Sequence, residues 1–126
     1  MAFTIGEAAK KTGLTAHTLR YYDKEGLLPF VDKTASGARA FKDSDFEWLS
    51  LIDCLKRTGM PLKEIRRFLD LCLAGDATLR EQYALFLERR SEVERQMAAL
   101  RETLEKINYK CWYYEARLSF AKKKSD

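Results

Sequence analysis

The feature that most constrains this chain is a long row of apolar residues spaced alternately by four and three in its second half. The row continues for more than four heptads, and a repeat sustained that far is typical of a coiled-coil seam. Arg90 is its one strongly polar position, and a single polar core residue can fix the register of a coiled coil. The predicted seam positions are Leu79, Tyr83, Phe86, Arg90, Val93, Met97, Leu100, Leu104, Ile107 and Cys111.

This seam implies a partner. A helix from Thr78 to Cys111 would be about 50 Å long at a rise of about 1.5 Å per residue. The small domain that precedes it cannot cover a stripe of that length. A second copy of the same chain is the simplest partner, so the sequence predicts a homodimer.

The first part of the chain has the signals of two short helices. Thr4 begins a capping box, and Gly13 suits the left-handed residue that ends a helix. Thr15 can cap a second helix that runs to about Glu25, and Gly26 ends it. Two short helices joined by a tight turn predict a helix-turn-helix.

A small hairpin and two further helices are predicted next. Turn residues 35–37 lie in the middle of the segment 31–41, which predicts a wing. Capping boxes beginning at Ser44 and Thr78 predict the starts of the third helix and of the long helix. Pro61 suits the first position of the fourth helix.

The predicted fold class is therefore all-α with a small β wing. A winged helix-turn-helix domain occupies 1–74, and 75–77 form a junction. Residues 78–120 form a dimerisation helix with an aromatic C-terminal end, and 121–126 are expected to be a frayed basic tail.

Composition excludes several classes of protein. No run of 18 apolar residues is present, and the first residues lack the pattern of a secretory signal, so we expect a cytoplasmic protein without a membrane partner. Cys54, Cys72 and Cys111 lie far apart, which fits neither disulfides nor a zinc site. With His17 as the single histidine, we expect no enzyme activity, no metal and no cofactor.

The second helix has the residue types that bind DNA. Its start offers Thr15, His17, Thr18 and Arg20, which are donors of the kind that base edges and phosphates require. Two cations in and after the wing are placed to grip the DNA backbone, namely Arg39 and Lys42. The alternative is a solvated basic surface on a coiled-coil adaptor that recruits another protein without specific DNA binding.

Four motifs in order make the chain resemble a known family. They are Thr18–Tyr22, Gly26–Pro29, Gly37–Phe41 and Thr58–Ile65, and they resemble the MerR family of bacterial transcriptional regulators. The resemblance implies dimers with a winged helix-turn-helix at each end of an antiparallel coiled coil. Such dimers bind inverted repeats in promoters whose spacer is too long for RNA polymerase, and they bend and untwist that spacer.

The resemblance also implies individual roles. Thr18, Arg20 and Tyr21 would contact DNA from the recognition helix, and Arg39 would contact it from the wing. Tyr22 matches the motif too, but it suits either a phosphate contact or core packing. Ala38 departs from the family pattern, in which a tyrosine is common, so one wing contact is expected to be weaker.

The position of Cys54 resembles that of the single cysteine in a subgroup of the family that responds to aldehydes and nitrosative stress. Its neighbours Lys56 and Arg57 could favour the thiolate, which is the nucleophilic form. The alternative is an inert, half-buried residue. Cys72 and Cys111 are interpreted as packing residues. Neither a separate drug-binding domain nor the cysteine loop of the family's metal sensors is expected.

Overall fold

The computed structural model describes the backbone of residues 2–125 and the side chains of 2–124. The helices are α1 (Ile5–Thr12), α2 (Ala16–Lys24), α3 (Asp43–Arg57), α4 (Leu62–Leu73) and α5 (Leu79–Ser125). Strands β1 (Asp32–Lys33) and β2 (Arg39–Ala40) lie between α2 and α3, and a 3-10 turn (Gly75–Thr78) precedes α5. The predicted fold class is confirmed.

Helices α1 and α2 form the predicted helix-turn-helix. The Thr4 hydroxyl accepts from the Glu7 amide at 3.2 Å, and the Glu7 carboxylate accepts from the Thr4 amide at 3.0 Å. The hydrogen bond from the Thr4 amide, followed by the effect of the Thr4 side chain, lowers the pKa of Glu7, because both favour the charged carboxylate. Gly13 closes α1 with a φ of 75°, a conformation that glycine adopts without strain. Thr15 caps α2 by accepting from the Thr18 amide at 3.0 Å.

The wing is a two-stranded antiparallel hairpin. Asp32 pairs with Ala40 and Lys33 with Arg39. Its tip is exposed, and the amide of Thr34 donates to the carbonyl of Ala38 at 2.7 Å. The base is held by Phe41, which is fully buried and bridges to Phe3. The hairpin predicted over 31–41 is therefore confirmed.

One core joins the four short helices and the base of the wing. Each element contributes the apolar face that its helical spacing predicts. The buried apolar residues are Ala8, Leu19, Tyr22, Leu27, Leu28, Val31, Phe41, Leu49, Ile52, Leu55, Met60, Ile65, Phe68 and Leu69.

The start of α3 differs from the prediction. Lys42, not Ser44, is the N-cap residue, and Asp45 completes the capping box by accepting from the Lys42 amide at 3.0 Å. Asp45 is buried, whereas Ser44 is exposed within the first turn. The capping box therefore begins at Lys42, two residues before the start at Ser44 that the sequence predicts. Pro61 likewise precedes α4 as its N-cap residue rather than opening it.

The capping box predicted at Thr78 is also wrong. Thr78 ends the 3-10 turn, and its hydroxyl donates to the carbonyls of Leu71 at 2.5 Å and Gly75 at 3.0 Å. The side-chain amide of Gln82 in turn donates to the Thr78 hydroxyl at 3.0 Å. Thr78 therefore ties the start of α5 to the end of α4, and α5 begins at the next residue.

The beginning of α5 belongs to the DNA-binding domain. The chain divides into two compact units, one ending at Arg89 and the other beginning at Arg90. In the first unit the ring of Phe86 meets Phe68 edge to face at 5.2 Å, and Arg89 donates to the Thr58 hydroxyl at 3.3 Å. The first unit thus extends past residue 74 into the first turns of α5, where Leu85 packs against the core.

The second unit is the remainder of α5. The helix continues to Ser125, so the described part of the basic tail is helical rather than frayed, and Asp126 lies outside the described residues. In this single chain, Met97, Leu100, Leu104 and Ile107 are each more than half exposed. Among the described residues, no helix is long and apolar enough to cross a membrane.

The corrected start of α3 can be tested by stability measurements. Asp45→Ala should lower the free energy of unfolding by about 1–2 kcal/mol, because it removes a buried cap. Ser44→Ala is the matched control and should change it by less than about 0.5 kcal/mol. Urea unfolding at fixed protomer concentration, followed by circular dichroism, measures both variants. A larger loss in Ser44→Ala than in Asp45→Ala would contradict the assignment.

Candidate nucleic-acid interface

The exposed face of α2 is fixed by what the helix buries. Leu19 and Tyr22 point into the core, with no more than 1% of either residue exposed. Thr15, His17 and Arg20 are therefore left on the solvent side, and Thr18 is half-buried beside them. The hydroxyls of Thr15 and Thr18 lie 2.9 Å apart, so the helix start presents a connected pair of polar groups next to its positive dipole end.

Tyr21 and Tyr22 have different roles. Tyr22 packs in the core, which decides between the two interpretations of this residue. Its burial raises the pKa of the phenol, and the negative charge of Asp53 adds to the effect. Tyr21 is 41% exposed and stays on the outer face.

Lys56 connects α3 to these tyrosines, and sequence reasoning gave it no such role. Its ammonium lies 5.4 Å from the ring centre of Tyr21 and 5.3 Å from that of Tyr22. Both distances are within the range of cation–π contacts. Lys56 therefore links α3 to α2 through both tyrosines.

Arg39 is held inside the chain. Its Nε and Nη2 donate to Asp23 Oδ1 at 3.0 and 2.5 Å, and its Nη1 donates to the Val31 carbonyl at 2.6 Å. The side chain is 18% exposed. Asp23 was missed by sequence reasoning, because no local pattern links two residues that are 16 positions apart.

Lys42 is engaged in a similar way. Its Nζ donates to the Phe30 carbonyl at 3.1 Å and to Asp45 Oδ1 at 3.0 Å. Its side chain is about half exposed, so the ammonium lies at the surface while it supports the wing base and the start of α3. Both cations assigned to the DNA backbone thus have structural partners, and their DNA contacts remain a prediction.

The recognition helix and the wing share one continuous surface. A shallow depression of about 430 Å³ is lined by Arg20 and Asp23 of α2, by wing residues including Thr34 and Ala38, and by Phe3 and Thr4. The structure therefore brings Arg20 and the wing together on one surface, as DNA binding by a winged helix-turn-helix domain requires.

The three cysteines differ in exposure. Cys54 and Cys111 are exposed, whereas Cys72 is partly buried. Burial raises the pKa of the Cys72 thiol, which lowers its thiolate fraction at neutral pH. Beside Cys54, Arg57 Nε pairs with Asp53 at 2.9 Å, so that cation is shared with a carboxylate. The packing role expected for Cys111 is not seen in the single chain.

Within the described part of the chain, no group of three or more His, Cys, Asp or Glu side chains could hold a metal ion. The exposed α2 face and the wing are the features of a winged helix-turn-helix DNA-binding protein.

Comparison with known families agrees with this class. The family described as MerR HTH family regulatory protein matches residues 3–72, and the model described as MerR, DNA binding matches residues 46–108. The chain belongs to the MerR family. It is a DNA-binding transcriptional regulator and not an enzyme.

Individual relatives are similar over most of their length. An uncharacterised HTH-type transcriptional regulator of Haemophilus influenzae is 46% identical over 91% of this chain and 85% of its own. The crystal structure of HiNmlR, a MerR family regulator lacking the sensor domain and bound to promoter DNA, has a TM-score of 0.83 at 46% identity, covering 91% of both chains. A MerR family regulator from Bacillus thuringiensis has a TM-score of 0.80 at 37% identity, covering 87% of this chain and 96% of its own.

Proposed function

We propose that the protein binds inverted-repeat promoter operators as a homodimer, with α2 of each copy in the major groove. The exposed α2 face supports this proposal, because Thr15, His17 and Arg20 lie on its solvent side with half-buried Thr18 among them, and Arg20 lines a surface shared with the wing. The similarity to HiNmlR, a structure bound to promoter DNA, supports it. The adaptor alternative is disfavoured, because the chain belongs to a family of DNA-binding regulators.

Arg20 is the residue expected to contribute most to DNA affinity. It is exposed on α2, three residues before Asp23, and it lines the surface that continues into the wing. A guanidinium there can donate two hydrogen bonds to a guanine edge or to a phosphate. Tyr21, which is partly exposed beside it, is assigned a second contact.

Arg20→Ala should weaken binding to the DNA upstream of the protein's own coding region by about 10- to 100-fold, the usual cost of a good base or phosphate contact. Fluorescence anisotropy with a labelled duplex measures the dissociation constant. Lys63→Ala removes an exposed positive charge from α4 and is the matched control, with an expected loss below about threefold. Equal losses in the two variants would contradict the assignment of α2 as the recognition helix.

The dimer is proposed to form along the second part of α5. The seam residues Met97, Leu100, Leu104 and Ile107 are exposed in the single chain. Arg90 is exposed as well, with its Nε 3.8 Å from a carboxylate oxygen of Glu94. An apolar stripe of this length is unfavourable in water and is covered when two antiparallel copies pair. A two-fold dimer then presents two recognition helices to two half-sites of an inverted repeat.

A charge placed in the seam should separate the dimer. Leu100→Glu puts a carboxylate at a seam position and should raise the dimer dissociation constant by at least about 100-fold. Ala98→Glu places the same charge off the seam on the same helix and should leave the dimer intact. Sedimentation velocity over a concentration series distinguishes the two. A dimeric Leu100→Glu protein would rule out this seam as the interface.

At the promoter, the bound dimer is proposed to bend and untwist an overlong spacer so that RNA polymerase engages both promoter elements. The family resemblance suggests this step. Bending DNA in this way costs several kcal/mol. A dimer that binds two half-sites at a fixed separation can offset this cost with its contacts to the DNA. The protein would then regulate without contacting the spacer bases.

We further propose that Cys54 switches this activity. Its thiolate adds to the carbonyl carbon of an aldehyde, the carbonyl electrons move to oxygen, and a proton from water completes a hemithioacetal. The exposure of Cys54 supports this, and Cys54 lies on α3, the helix whose Lys56 contacts the tyrosines of α2. Added volume at Cys54 would then alter the support of the recognition helix.

Cys54→Ser should bind the operator within about threefold of the wild type but lose the response to added formaldehyde in a transcription assay. Cys72→Ser is the matched control and should keep the response, because the Cys72 thiol is partly buried. An unchanged aldehyde response in Cys54→Ser would exclude the switch.

The distortion of the spacer is tested separately. A template whose spacer has been shortened to the ordinary promoter length should be transcribed without the regulator.

A further inference from the structure

We propose that Asp23 and Arg39 form a clamp that fixes the wing against the recognition helix. In this view Arg39 raises DNA affinity as a positioning residue and not through a phosphate contact. The inference rests on the proposed use of α2 and the wing as one DNA-binding surface. It assigns a function to Asp23, an acidic residue on a surface that faces a polyanion.

The guanidinium of Arg39 joins three parts of the chain. Arg39 itself belongs to β2, its Nε and Nη2 bind Asp23 of α2, and its Nη1 binds the carbonyl of Val31 just before β1. Three N–H groups of one side chain are therefore used within the protein. A phosphate would have to compete for a group whose geometry is already set by these partners.

The wing needs such a connection because its own pairing is small. Its strands have two residues each, and a two-stranded hairpin of this size is marginal in water. Residues 32–38 are exposed, so the base of the wing and the Asp23–Arg39 pair determine where the tip lies. The pair is suited to this, since its side chains are only 32% and 18% exposed and water competes less for their hydrogen bonds.

The charge of Asp23 makes the proposal testable. A carboxylate beside Arg20 on the DNA-facing helix repels phosphate, so simple electrostatics predicts that removing it tightens DNA binding. The clamp predicts the opposite, because the wing loses its attachment. The two explanations therefore predict opposite changes in DNA affinity when Asp23 is removed.

The experiment measures operator affinity of the full-length protein by fluorescence anisotropy over a series of salt concentrations. Asp23→Ala should weaken binding about tenfold with an unchanged slope of log affinity against log salt. Glu25→Ala removes an exposed carboxylate from the end of the same helix and is the matched control, with affinity unchanged or higher. Affinity of Asp23→Ala equal to or above that of the wild type would overturn the clamp.

Arg39 provides the second arm. Arg39→Ala should weaken binding at least as much as Asp23→Ala, because it also removes the hydrogen bond to the Val31 carbonyl. The double variant should be no weaker than Arg39→Ala alone, because the Asp23–Arg39 contact is already lost in that variant. Additive losses, or a salt slope smaller by about one in Arg39→Ala, would instead assign Arg39 to a phosphate and overturn the proposal.

Two further measurements keep the outcome clear. Thermal unfolding shows whether Asp23→Ala is folded at the assay temperature. If Asp23→Ala is unfolded, Asp23→Asn replaces it, because asparagine keeps the shape and one acceptor oxygen. The operator affinity of Asp23→Asn should be about threefold lower than that of the wild type. Arg20→Ala in the same assay reports on the recognition helix alone. Normal operator binding by Arg20→Ala would refute the proposed surface, whereas its loss together with normal binding by Asp23→Ala would refute only the clamp.

Discussion

The burial of Leu19 and Tyr22 is the constraint on which the rest of this domain depends. Because both side chains are in the core, α2 has one allowed rotation about its axis, and Arg20 and His17 must face outward. Tyr22 is large and sits in a close-packed interior, so its site tolerates little change. The specificity surface is thus set by apolar packing on the opposite side of the same helix.

At the surface around this core, charged side chains stabilise the domain by contacts with neighbouring segments. Arg39 links the wing to α2, Lys42 caps α3 through buried Asp45, and Lys56 covers the tyrosines of α2. The contacts of Arg39 and Lys56 each join two different secondary-structure elements. The domain therefore uses hydrogen bonds and cation–π contacts where its hydrophobic core is too small to reach, as expected for a domain of this size.

Local signals explain why so much of the fold could be predicted. The capping box at Thr4, the cap at Thr15 and the left-handed Gly13 depend on residues within a few positions of each other, and all three are found. The apolar faces of the short helices follow from helical spacing. The boxes predicted at Ser44 and Thr78 fail because competing partners lie elsewhere: buried Asp45 with Lys42 in one case, and the carbonyls of Leu71 and Gly75 in the other.

The candidate site was predictable only to the level of residue type. Thr15, His17, Thr18 and Arg20 are where a recognition helix would place them, because exposure on a helix follows its period. The engagement of Arg39 by Asp23 and of Lys42 by Asp45 could not be predicted, since a sequence does not show which acid a cation will meet in the folded chain. The family resemblance also gives no information about such partners.

The ion pairs that Arg39 and Lys42 form within the chain affect how tightly the protein can bind DNA. The net charge is only +4, and the two cations in and after the wing, Arg39 and Lys42, already pair with carboxylates within the chain. Phosphate contacts supply much of the affinity of DNA-binding proteins, so the internal pairing of these two cations limits what they can add to the affinity of one copy. In the proposed dimer, binding of the second half-site would be intramolecular, so its effective concentration would be high. The modest net charge of the chain and the exposed seam of α5 therefore support the same proposal, that two chains form the DNA-binding unit.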